Sequence, residues 1–157
     1  AKRLCASRKD TYFLLAGTGP LQAGLSRSLR HDGLEEHVRI LGWRSDVDQL
    51  MRSADVFVLP SYFMEGLPVS ILEAMACGKP VVSTFHKGCE DAVVTGETGL
   101  LVPPRQVAPL VTSIARLLDD PALRASMGQA GRRRAEKHFE LGACTAQIVG
   151  LLEKMLR

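Results

Sequence analysis

Short apolar runs alternate with helical stripes through most of the chain, and after about residue 106 the stripes continue alone. Residues 12–16, 38–42, 55–60, 80–84 and 99–103 read as strands: each is brief, rich in Val, Leu, Ile and Phe, and closed by Gly or Pro. Between them, helical patterns run to about His31, over 46–53, from Pro68 onward, and over 90–94. The last third carries apolar residues at 107, 110, 111, 114, 117 and 118, a single stripe, followed by helices over 121–138 and 143–156. Strands alternating with helices imply an α/β fold with a mostly parallel sheet, right-handed crossovers and helices on both faces. In such sheets ligands bind beyond the carboxyl ends of the strands, which singles out the loops after Ala16, Leu41, Leu59 and Thr84. No linker, repeat or low-complexity segment interrupts the chain, so one domain over 1–157 is expected.

The loop after the third strand leads into E-G-L-P-V-S-I-L-E, with Glu65 beside a glycine and Glu73 inside an otherwise apolar helical segment. A helix of that composition is expected to be buried on nearly every side, so the Glu73 carboxylate requires a partner. Either it faces a cleft holding a polyhydroxylated ligand or a cation, or it forms a structural ion pair. Pro68 suits the first helical position, where its missing N–H costs nothing, and the remaining first-turn amides can receive a phosphate. Gly66, Leu67 and Pro68 thus form the entrance to an anion cradle, flanked by carboxylates that can each accept from two vicinal hydroxyls. A sugar attached to a nucleotide diphosphate has that combination of groups.

Composition narrows the class. At 157 residues, 46% hydrophobic and 24% charged, the chain can bury a core unaided. No apolar run approaches the roughly 20 residues that cross a bilayer, and the first residues lack a signal-peptide core, so a cytoplasmic location is expected. Cys5, Cys77, Cys89 and Cys144 are widely spaced and form no C-x-x-C, which predicts neither disulfides nor a zinc site. A net charge of +3 without aromatic-basic interleaving does not support nucleic-acid binding. Arg132, Arg133, Arg134 and Lys137 decorate a solvated helix face or touch an anionic membrane surface peripherally, at its inner face. A dinucleotide-dependent oxidoreductase is disfavoured, because no G-x-G-x-x-G follows a first strand.

The stretch G-W-R-S-D-V-D-Q-L-M-R-S-A-D-V-F-V-L-P-S-Y-F-M-E-G-L-P-V-S-I-L-E-A-M-A-C-G-K-P-V-V-S-T, followed by T-G-E-T-G-L-L-V-P-P-R, closely resembles the C-terminal domain of retaining glycosyltransferases of the GT-B fold, family 4. The resemblance implies a Rossmann-like, donor-binding domain that takes a nucleotide-diphosphate sugar as substrate, with no cofactor and no metal. By the same resemblance Glu65 contacts the donor sugar and carries the catalytic role. The main chain from Gly66 through Leu67 and Pro68 to Val69 holds phosphate or sugar oxygens, and Glu73 accepts from the ribose hydroxyls. The loop from Trp43 to Asp46 holds the base, with Arg44 as its side-chain contact, and Gly17 and Gly19 belong to the G-x-G-P loop of the same cleft. Arg44 as a solvated residue and the glycine turn as a purely structural device are the competing readings. The pattern departs from the family at two places. The strand bearing the arginine and lysine that meet the diphosphate is not found before Lys2 and Arg3, and Lys87 occupies a usual glycine position. The family's acceptor-binding N-terminal domain is expected in a longer or companion chain, and this half alone is expected to transfer nothing. The alternative function is a non-catalytic nucleotide-binding or interaction module that keeps the fold.

Overall fold

The computed structural model describes residues 1–63 and 66–156. Five strands and eight helices follow in the order α1 (Lys2–Ser7), β1 (Phe13–Ala16), α2 (Gln22–His31), β2 (Val38–Gly42), α3 (Val47–Ser53), β3 (Phe57–Leu59), α4 (Val69–Ala76), β4 (Val81–Thr84), α5 (Lys87–Ala92), β5 (Gly99–Val102), α6 (Val107–Asp119), α7 (Pro121–His138) and α8 (Leu141–Met155). Every predicted strand is present: β2 keeps its expected bounds, and the others are shorter by one to three residues. The α5 helix begins at Lys87 rather than near Glu90, because Gly88 lies within its first turn and does not break it.

The chain divides into two compact units, Ala1–Val47 and Asp48–Arg157. All strand pairs are parallel, as the alternation requires, but they form two sheets, β1-β2 and β3-β4-β5. In the first unit β1 and β2 pair from Phe13 opposite Val38 to Ala16 opposite Gly42, with an irregularity between Leu15 and Ala16. A small core of Cys5, Leu29, Leu34 and Val38 fills the space beneath, with Phe13 and Ile40 packed against it.

In the second unit β4 is central, hydrogen-bonded on both edges and buried along its whole length. The amphipathic α6 turns Ile114 and Leu117 inward, as its stripe predicts. Asp120 caps α7 by accepting from the Leu123 amide at 2.9 Å, with Pro121 in the first helical position. Helix α7 crosses the end of α4 at close range. A Cβ on Gly128 would collide with the Gly78 carbonyl, and one on Gly131 would sit 3.4 Å from Met75 Cγ. These glycines let the backbones approach, so that Ile71, Ala74 and Met75 of α4 become fully buried. Burial of each large side chain there stabilises the fold by about 1.5–3 kcal/mol.

The expectation that α4 is buried on nearly every side is corrected. Ile71, Ala74 and Met75 face the core, while Val69, Glu73 and Ala76 are exposed. Helical periodicity separates the two sets: residues 71, 74 and 75 share one face, and residues 69, 73 and 76 share the other.

Candidate functional site

The carboxyl ends of the strands carry the loops of interest in each unit. In the first unit Gly17 adopts φ +124°, a conformation that side chains disfavour, and its amide donates to the Gly42 carbonyl at 2.7 Å. The glycine is therefore needed for the turn after β1, while Gly19 has an ordinary φ. After β2, Trp43 is 74% exposed. Arg44 is held by its neighbour: Nε donates to Asp46 Oδ1 at 2.8 Å and a terminal nitrogen donates to Oδ2 at 2.6 Å. This hydrogen-bonded pairing holds the Asp46 carboxyl below, and the Arg44 guanidinium above, their ordinary ranges. The fork expected to reach a base is thus occupied by Asp46, and the exposed Trp43 ring is the larger free surface of that loop.

In the second unit the β3 loop runs from Pro60 into α4. Ser83 Oγ donates to the Leu59 carbonyl at 2.8 Å and Thr84 Oγ1 donates to the Ser61 carbonyl, so the end of β4 pins the start of the loop. Glu65, expected to touch the sugar, lies outside the described residues. Gly66 and Leu67 are exposed, Pro68 is buried, and the helix begins one residue later than expected, with Pro68 as its N-cap and Val69 as its first residue. Pro68 cannot cap with a side-chain acceptor. The Ile71 amide bonds back to the Pro68 carbonyl at 3.0 Å, while the amides of Val69 and Ser70 have no acceptor among the described residues. These are the orphan donors that make a helix start receptive to anions.

Glu73 lies one turn above Val69 on the same exposed face. Among the described residues no basic side chain pairs with it, so the structural ion pair is not formed there. An exposed carboxylate above a helix start with free amides is a hydroxyl acceptor beside an anion acceptor. After β4, His86 precedes α5, and its Nε2 is buried without a hydrogen-bond partner among the described residues. Lys87 is the exposed first residue of α5.

The strand ends of this unit also enclose a cavity of about 130 Å³, bounded by Pro60, Tyr62, Thr84, Val102, Pro103, Arg105 and the first turn of α6. Sequence reading did not single out Tyr62 or Arg105. The available signal was an arginine, where a turn would favour glycine, directly after Pro103-Pro104.

The basic run on α7 separates in the structure. Arg132 pairs with Glu136 at 2.8 Å, while Arg134 donates to the Ala92 and Asp91 carbonyls at the end of α5, 2.8 Å each, and lies over the Phe139 ring. Arg134 is therefore a tie between helices, and Arg133 and Lys137 remain as exposed cations. All four cysteines are free. Among the described residues no group of His, Cys, Asp and Glu could hold a metal, and no helix is long and apolar enough to cross a membrane.

Parallel strands, crossover helices and polar loops gathered at strand carboxyl ends define a Rossmann-like nucleotide-binding class of domain. Comparison with known proteins narrows this. The profile of the family described as glycosyl transferases group 1 matches residues 1–134, and the chain belongs to that family. It is 30% identical over 157 residues to alpha-D-kanosaminyltransferase of Streptomyces kanamyceticus, covering 99% of this chain and 40% of that protein. The crystal structure of Anabaena HepE in complex with UDP superposes with a TM-score of 0.90 at 28% identity, over 96% of this chain and 43% of that one. A second structure of HepE holds UDP-glucose. The C-terminal domain of a glycosyl transferase group 1 family protein (LpcC) from Francisella tularensis shares the fold, with a TM-score of 0.81 at 22% identity, over 90% of this chain and 76% of that domain. The chain thus spans well under half the length of the full proteins it matches, and corresponds to the C-terminal, GT-B half.

Proposed function

We propose that this chain is the nucleotide-sugar donor-binding half of a retaining glycosyltransferase, acting with an acceptor-binding domain of the kind that would occupy the additional length of its relatives. Glu73 carries the reading: it is exposed and has no ion-pair partner among the described residues, one turn above a helix start whose first amides lack acceptors among those residues. In this assignment the ribose hydroxyls donate to Glu73, the diphosphate or sugar oxygens accept from the main chain of Gly66 to Val69, and Glu65 contacts the donor sugar. HepE was crystallised with UDP and UDP-glucose, which makes UDP the first probe for this relative.

Leaving charge in this scheme is met by helix-start amides and cationic side chains, without a metal. Addition of Mg²⁺ is accordingly expected to leave nucleotide affinity unchanged within about twofold, since a charge-neutralising metal would change it by far more. Acceptors in sugar-polymer or lipid pathways fit the family, and a peripheral contact with an anionic membrane through Arg133 and Lys137 is part of this proposal.

The test is a titration of the chain with UDP, GDP and ADP and their sugar derivatives, comparing wild type with Glu73→Ala. Loss of a charge-assisted hydrogen bond is expected to weaken binding about tenfold or more. Equal affinity of the two forms would remove Glu73 from the ribose.

A further inference from the structure

Arg105 is the sole non-glycine among the described residues with a left-handed backbone, φ +60°. That conformation costs free energy that a glycine would not, and strain of this kind persists where the surroundings impose it. The segment is held between β5, whose register with β4 continues to Val102, and α6, which starts at Val107. The strained backbone aims a long cationic side chain at the cavity between the carboxyl ends of β3, β4 and β5. The Arg105 guanidinium lies 5.0 Å from the centre of the Tyr62 ring. No described carboxylate or carbonyl is bonded to it, so its five N–H donors remain available. The cation–π contact with the aromatic ring holds the guanidinium in place without using those donors. Around it, Pro60, Val102, Pro103 and Leu110 give apolar walls, and Gln106 supplies a further polar group.

An unpaired, ring-stacked guanidinium in a small cavity on the ligand edge of a parallel sheet matches a phosphate group attached to carbon: the fork takes two oxygens and the walls take the substituent. We propose that the Tyr62–Arg105 cavity is a phosphate-binding subsite, distinct from the α4 helix start, and that Arg105 is its anion-binding residue. The proposal rests on the donor-binding reading for its place in a reaction. Either the donor diphosphate or a phosphorylated acceptor brings the phosphate.

Wild type, Arg105→Gly and Glu73→Ala are each titrated with inorganic phosphate, UDP and uridine, following ¹⁵N–¹H shifts and affinity. Glycine at 105 accepts the positive φ, so Arg105→Gly is expected to fold with an unchanged or higher melting temperature. It should also lose phosphate-induced shifts at residues 102–107. If the donor diphosphate occupies the cavity, UDP affinity falls about tenfold in Arg105→Gly while uridine affinity is unchanged. If an acceptor phosphate occupies it, only the inorganic phosphate response is lost. Phosphate and UDP responses that both survive in Arg105→Gly would overturn the subsite. The Glu73→Ala arm reports on the ribose contact separately, so unchanged UDP binding there would remove that contact while leaving the Arg105 result standing.

Discussion

Helices α4 and α8 are both markedly apolar, yet they occupy opposite environments. In α4 the apolar residues divide cleanly: Ile71, Ala74 and Met75 are fully buried, Met75 against α7, and the opposite face carries Glu73 into the open. Along α8, Leu141, Ile148, Val149, Leu151, Leu152 and Met155 are all between 47% and 79% exposed, and none of the residues described there is buried. The difference shows what makes α4 a suitable platform for a site. Its orientation is fixed by a glycine-mediated backbone approach, so whatever Val69 and Glu73 present is held rigidly. Helix α8 has an apolar surface without such anchoring, and a patch of that kind marks a region whose cover is not in this chain's own core.

The comparison can be broken most forcefully at Gly128. An alanine there must displace the Gly78 carbonyl, and unfolding free energy is expected to fall by about 4 kcal/mol or more, measured by denaturant melting. A loss below about 1 kcal/mol would mean that the α4–α7 approach is loose. Met75→Ala, which leaves a cavity on the same face, is expected to cost about 3 kcal/mol. By contrast, Ile148→Gln and Leu152→Gln on α8 should alter stability by no more than about 0.5 kcal/mol and reduce concentration-dependent self-association in sedimentation. Losses comparable to that of Met75→Ala would show that α8 is packed after all.

The smallest effect concerns the loop after β2. The folded-state carboxyl of Asp46 titrates below its unfolded value because Arg44 is hydrogen-bonded to it. Its contribution is therefore present above the unfolded value, near pH 4, and is lost as pH falls through the folded one. Arg44→Ala should raise the Asp46 titration midpoint toward the ordinary carboxylate range, read by NMR, with neutral-pH stability nearly unchanged. An unmoved midpoint would show that the pair does not persist in solution.

Much of this architecture was legible in the sequence because local periodicity reports it directly. The bounds of β2, α2 and α7 follow from strand-length apolar runs, the end of a helical stripe and a Pro after an Asp cap. The exposed face of α4 was not legible because a nearly all-apolar segment hides its own periodicity: Val69 and Leu72 look as inward as Ile71, and the elements packed against the helix decide which face is covered. The division of five strands into two sheets was not legible, since hydrogen-bond partners across a parallel sheet are distant in sequence. The strained backbone of Arg105 was hard to read as well, because a positive φ is advertised by glycine and only its place after Pro103-Pro104 pointed to a turn there. Glu65 was proposed from the family pattern and lies outside the described residues.

The central claim is that a nucleotide diphosphate rests on the start of α4 beneath Glu73. ¹⁵N–¹H spectra recorded during addition of UDP, GDP and ADP test it most directly. The nucleotide that binds is expected to move the amides of Gly66, Leu67, Val69, Ser70 and Glu73 most strongly, while α8 stays silent. Shifts confined to other loops, or an α4 start untouched by a nucleotide that binds elsewhere, would contradict it.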